Sequence, residues 1–228
     1  MIGTVDDVEA KLHKTRNLVA GSLRVTAPIA FGLHQISPVL PKFLSTHPEL
    51  SVSLSLTDDS TSLVEDRIDV AVRMGRLQDS SLLSKKICDL RRVVVASPGF
   101  VAEHGTPNTP SDLAKFDCLL WQGALDHLNR WPFMIEGKQH HIPIEGRFRS
   151  NNGMSLFQMC VSGVGIMRLA EHLARPEIAA GRLVPLLEAY QSPEDGAFHA
   201  VFLPDREQLP RVRAFIDFLV ATFRTPAW

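Results

Sequence analysis

Thr26-Ala27-Pro28 is where the sequence first offers chemistry. It follows a short apolar strand, Leu23-Arg24-Val25. It precedes an apolar run in which Ile36, Val39, Leu40, Phe43 and Leu44 recur at helical spacing. A Thr ahead of such a run is a good N-terminal cap, and a Pro just inside suits a first turn. Pro38 and Pro41 predict a kink or restart near residue 37. The free N–H groups and positive dipole end of that helix would seat an anion at the strand end. That is the chemistry of binding a small acid, not of transforming one. The plainer alternative is an ordinary strand–helix joint with a solvated cap.

Other candidate groups carry less. Gly163-Val164-Gly165 resembles part of a dinucleotide fingerprint. However, a helix precedes it, a strand follows, and Arg168 stands where the third glycine belongs. A helix C-cap explains these glycines. Nine histidines include the neighbours His140 and His141, which a strand would point to opposite faces. There is no HExxH, no Cys–His pair at ligand spacing, no GxSxG elbow and no Walker A loop. No pair of carboxylates stands out as an acid/base couple. The expectation is a binding protein without catalytic residues, metal or cofactor.

The elements that would position the site read as α/β. Val52, Leu54 and Leu56 alternate with Ser51, Ser53 and Ser55, a strand with one wet face. Asp58-Asp59-Ser60 closes it and could cap a short helix through Leu63-Val64-Glu65. Ile68 to Arg73 is the next strand, so the rhythm is that of a parallel sheet. Ligands in such sheets sit beyond the carboxyl ends of strands, where Thr26, Asp59 and Arg73 fall. Leu82 to Ala96 reads as one long strand with an irregular middle. Trp131 to Arg149 suits a hairpin turning at Gly137-Lys138. Asn152 to Val161 is helical, and a last helix starts near Pro210.

Composition bounds the rest. The 228 residues are 45% hydrophobic and 21% charged, with net charge −1, as expected of a globular protein without a basic surface for nucleic acid. No apolar run approaches the roughly 20 residues of a bilayer span. The N-terminal stretch lacks the apolar core of a secretory signal, and Cys88, Cys118 and Cys160 are too scattered for a disulfide framework. A cytoplasmic location with buried free thiols is expected. Val5, Val8, Leu12, Thr15 and Val19 form a short a/d seam. It reads as the end of a helix that pairs outside this chain, or equally as an amphipathic helix on its own domain.

One resemblance covers residues 9 to 224. The runs GSLRVTAPIAFGLHQISPVLPKFLSTHPELSVSLSLTDD, LVEDRIDVAVRMGRLQDSSL and RRVVVASPGFVAEHGTPNTPSDL resemble the effector-binding domain of LysR-type transcriptional regulators. So do SNNGMSLFQMCVSGVGIMRLAEHL, AAGRLVPLL and RVRAFIDFL, in the family's order and spacing. The resemblance implies a two-lobed fold like the type 2 periplasmic binding proteins, with two crossover strands and the effector in the cleft. Lobe one would be 21–95 with 201–228, and lobe two 96–200. Residues 1–20 would end a linker helix. Thr26, Ala27, Pro28, Asp59, Ser60, Arg73, Met74, Asn151, Gly165 and Ile166 would line the cleft, with Trp121 covering an aromatic ring. Where the family often has Leu-Pro, this chain has Met167-Arg168, which implies a longer, cationic wall. Glu65-Asp66-Arg67 stands where a Glu-Gly pair is frequent. The expected partners are a small, anionic effector and a second copy of the chain, with a tetramer at full length. DNA would be reached only through a separate N-terminal helix-turn-helix, and no membrane is involved. A free solute-binding protein of the same fold is the alternative.

Overall fold

The computed structural model describes residues 19–59, 63–64, 66–75, 81–192 and 196–225. The expected linker helix, apart from Val19, and Ser60 therefore lie outside the described residues.

Strands β1 (Gly21–Ala27), β2 (Leu50–Leu56) and β3 (Val70–Met74) are parallel, with β1 in the middle. Apolar residues on alternate positions face one core, and the serines of β2 face solvent. Helix α1 (Ile29–Phe31) leaves β1 and widens into one π-type stretch over Gly32–Ile36 before α2 (Ser37–Thr46). Ser37 donates its N–H to the carbonyl of Gly32, five residues back. The widening falls just ahead of Pro38, which has no N–H and whose ring crowds the carbonyl four residues before it. The restart expected near residue 37 is this. Gly32 has its own reason to be glycine, since a Cβ there would stand 2.2 Å from Leu56 Cδ2.

Leu82 to Ala96 is not one strand. β4 (Leu83–Asp89) joins the first sheet, while β5 (Arg92–Ala96) is the centre of another, between β10 (Met167–Ala170) and β11 (Val184–Leu186). The chain returns as β12 (Ala197–Phe202), inserted antiparallel between β3 and β4, which gives the order β2-β1-β3-β12-β4. The two passages between sheets therefore fall at Leu90-Arg91 and before Ala197. They lie a few residues away from the Val95 and Val201 edges of the expected lobes. They are tied to each other where Leu90 N–H donates to the Gly196 carbonyl at 3.0 Å. Of the short helix expected at 63–65, Leu63 and Val64 lie in turns, and Glu65 is outside the described residues.

The first lobe closes over an aromatic core. Phe31 stacks on Phe198 at 3.9 Å, and α6 (Pro210–Thr222) covers the sheet with Phe215, Ile216 and Leu219. The second lobe is built from smaller pieces. β6 (Leu119–Trp121) pairs in parallel with β9 (Phe148–Ser150). β7 (Arg130–Ile135) and β8 (Lys138–Pro143) form a hairpin shorter than the expected 131–149, since 148–150 pairs with β6, and it turns one residue before Gly137-Lys138. Its turn is Glu136-Gly137, both at positive φ, a two-residue turn whose twist matches the strands. Helices α3 (Pro98–His104), α4 (Gly153–Val161) and α5 (Glu171–Ala179) pack around these sheets. All three cysteines are buried, and burial pushes each thiol up to about 12.

Candidate functional site

A cavity of about 50 Å³ lies where the two lobes meet. Pro28, Phe31, Asp58, Met74 and Phe198 line it from the first lobe. Arg92, Trp121, Gly153, Met167, Arg168 and His172 line it from the second. Its surface is mainly apolar, with a few charged groups at the edges, the usual make-up of a small-molecule site.

Asp58 joins the two sides. The strand ladder ends with Thr57 N–H on the Ala27 carbonyl, so the next residue projects past the end of β1. One carboxylate oxygen of Asp58 accepts from Ile29 N–H at 3.1 Å, at the start of α1. The other accepts from Gly153 N–H at 3.1 Å, at the start of α4 in the other lobe. Both are first-turn donors without an intrahelical acceptor, and both favour a negative charge. Asn152 caps the rest of that turn, accepting from Met154 and Ser155. Gly153 makes room for the Trp121 ring, since a Cβ there would lie 2.8 Å from Trp121 Cη2. Trp121 itself is held by Asn129, which accepts from its N–H at 2.8 Å and donates to its carbonyl at 2.9 Å.

Positive charge comes from the second lobe. Arg168 sits opposite Val94 and Arg92 opposite Ala170, so the two arginines are diagonal neighbours on one face of the β5–β10 pair. Burial lowers Arg92 to about 10. Burial, and then the charge of Arg92, lowers Arg168 to about 9. Both stay protonated at neutral pH, so the wall carries two partly desolvated cations side by side. Arg92 also reaches across to Met74, at 3.8 Å from its sulfur. His172 packs edge-on to Phe31 and Phe198. Burial, then His34 and Arg92, lower it to about 4, so it is neutral at pH 7.

The model of the LysR substrate binding domain matches residues 16–224. The chain belongs to the LysR substrate-binding domain family. It is 34% identical to the HTH-type transcriptional regulator CrgA of Neisseria meningitidis over 93% of this chain and 70% of that one. It is also 34% identical to the HTH-type regulator PtxR of Pseudomonas aeruginosa over 96% and 70%. The solved CrgA regulatory domain superposes with a TM-score of 0.82 over 89% of this chain and 98% of that chain, at 34% identity. The chain is thus the effector-binding domain of a LysR-type transcriptional regulator, and it is regulatory rather than catalytic. It has the two-lobed, periplasmic-binding-protein-like α/β fold expected from the sequence. No described helix is long and apolar enough to cross a membrane.

Within this LysR domain, the residues singled out from sequence separate into two groups. Pro28, Met74 and Trp121 line the interlobe cavity. Thr26, Ala27, Asp59, Arg73, Asn151, Gly165 and Ile166 do not line it. Ala27 faces the first lobe's core, and Thr26, on the opposite pleat, is 1% exposed with no hydrogen-bond partner for its hydroxyl. Thr26 is not the helix cap. Pro28 holds that position, and the capping carboxylate is delivered by Asp58 from another strand. Asp59 turns to solvent, with its N–H on the Thr57 hydroxyl. Arg73 alternates with Met74, so Met74 faces the cavity and Arg73 the other side of the sheet. Asn151 is exposed one residue ahead of the Asn152 cap. Ile166 forms an isolated bridge with Cys118, and a Cβ on Gly165 would meet the Asp117 carbonyl at 2.5 Å.

Among the lining residues that the sequence does not single out are Asp58, Arg92, Gly153 and His172. Asp58 had a signal, as the first acid after an alternating strand, but its neighbour Asp59 was taken instead. Arg92 also had one, a charge directly ahead of the apolar Val93-Val94-Val95. Gly153 and His172 had none, because their surroundings come from the other lobe. Arg168 was visible as a departure from the family pattern.

Proposed function

We propose that this domain senses a small molecule with one acidic group and a flat apolar body, held between its lobes to control transcription by the regulator that carries it. The observation that supports the reading is the Arg92–Arg168 pair on the wall of a mainly apolar cavity. An anion seated against two such close, partly desolvated cations eases both their desolvation and their mutual repulsion. Trp121 and Phe198 offer faces for the apolar body. The free space of about 50 Å³ holds only a few waters, so an effector has to part the lobes or shift side chains. The acid seat moves from the first turn after Pro28, where Ile29 N–H already serves Asp58, to the arginines.

We further propose that the domain pairs with a second copy, tetramers forming at full length, and that DNA is contacted by a helix-turn-helix outside this domain. Sedimentation of the fragment at high micromolar concentration checks the pairing. A thermal-shift screen of small aromatic and aliphatic acids, each run beside its neutral amide, tests the effector class. A ligand at 100 times its dissociation constant adds about 2.7 kcal/mol. The expected result is stabilisation by an acid and none by its amide. Equal stabilisation by both would overturn the anionic reading.

A further inference from the structure

We infer that Asp58 is a latch between the lobes: its single carboxylate grips a backbone N–H group of each, and an entering effector has to break that grip. The two bonds are equal at 3.1 Å, one to Ile29 at the end of β1 and one to Gly153 at the start of α4. Ile29 opens a helix of the first lobe and Gly153 a helix of the second, and among the described residues the chain passes between the lobes beside Leu90 and Ala197. The latch therefore acts at the mouth of the cleft, far along the chain from the strands about which the lobes would turn.

Three features set it in place. Asp58 has a fixed origin, because Thr57 N–H is bonded to the Ala27 carbonyl and Asp59 N–H to the Thr57 hydroxyl. Gly153 has no side chain to block the approach, and even a Cβ would lie 3.7 Å from the Asp58 oxygen. Asn152 takes the next two N–H groups of α4 and leaves that of Gly153 to the other lobe. An acceptor that carries charge suits both donors, since each opens a helix. A cap that served α1 alone would have no use for the second bond.

The test is amide hydrogen exchange at Ile29 and Gly153 in the wild-type chain, Asp58→Ala and Asp58→Asn. In Asp58→Ala both amides should exchange at least tenfold faster, while Val72 and Ala200, inside the five-stranded sheet, keep their protection. Asp58→Asn retains one carbonyl oxygen and should release at least one of the two amides. It also decides the matter if the alanine variant does not fold. Faster exchange at Ile29 alone in both variants, or at neither amide, would overturn the latch. The effect on the effector rests on the reading of the cleft proposed above. An acid found in the thermal-shift screen should bind Asp58→Ala about tenfold tighter than wild type, and weaker binding would overturn that part. If no acid binds either protein, the effector reading falls, while the exchange rates still decide the latch.

Discussion

On the five-stranded side of the cleft, strand ends and a helix start present Pro28, Phe31, Met74 and Phe198, whereas the three-stranded side presents Arg92, Arg168 and His172 around Trp121. The first wall is built from backbone positions and rings of one continuous core, and among the described lining residues its charge is Asp58, turned across the gap. The second wall is built from side chains standing on a small sheet whose central strand is also the route in from the other lobe. A wall of rings gives shape and little direction, while neighbouring cations give direction and favour an anionic group. On the function proposed above, this difference would give recognition of the acid to the second lobe and of the apolar body to both.

If that division is correct, the largest effect belongs to Arg168. Replacing it with Met keeps the length and removes the charge, and a charge-assisted hydrogen bond contributes roughly 1.5–3 kcal/mol. Calorimetric titration of a confirmed acidic effector should show affinity down about tenfold to a hundredfold, with the fold retained by circular dichroism. An unchanged affinity would break the comparison at its centre.

His172 gives the second effect, read in pH. Its folded pKa, about 4, is below the ordinary 6.5, because burial disfavours the imidazolium. Between these values the unfolded chain binds the proton more readily. Stability is therefore complete above pH 6.5 and is lost as pH falls toward 4, by about 3 kcal/mol. Urea titrations across that window should show the loss in wild type and a flatter profile in His172→Phe. Next comes Gly153→Ala, where the added Cβ would meet Trp121 at 2.8 Å. Overpacking of this kind costs about 1–3 kcal/mol, and the indole fluorescence of Trp121 should report its displacement.

The smallest effect is expected at Thr26. Its buried hydroxyl has no partner, so Thr26→Val removes an unsatisfied group and should raise stability by about 1 kcal/mol in denaturant melts. Effector affinity should stay within about twofold. A tenfold fall would return the acid seat to the end of β1 and reverse the roles of the two walls.

What could be read beforehand follows the same division. The parallel strands of the first lobe carry period-2 patterns within single segments, and Pro38 marks its helix restart by a local rule. The hairpin and the α4 helix are also legible in the sequence, although the turn falls at Glu136-Gly137 and not at Gly137-Lys138. The split of Leu82 to Ala96 was not, because both halves are strands and periodicity does not say which sheet receives each. The site failed in the same place. Asp58 and Asp59 are indistinguishable by composition, and which one faces the gap depends on where the ladder to Ala27 stops. Gly153 matters only because Asp58 and Trp121 converge on it from elsewhere.

The insertion of β12 between β3 and β4 has a consequence for synthesis. The first lobe's sheet lacks an interior strand until residues 197–202 have left the ribosome, so β4 has no neighbour while the whole second lobe is being made. The second lobe is contiguous, from Arg92 to the turn after β11, and needs no later residue to complete its three-stranded sheet. Domains generally fold as units when they emerge, and pairings distant in sequence form late. The lobe that begins the chain is therefore the last to fold, and a nascent chain exposes the edges of β3 and β4 for longest.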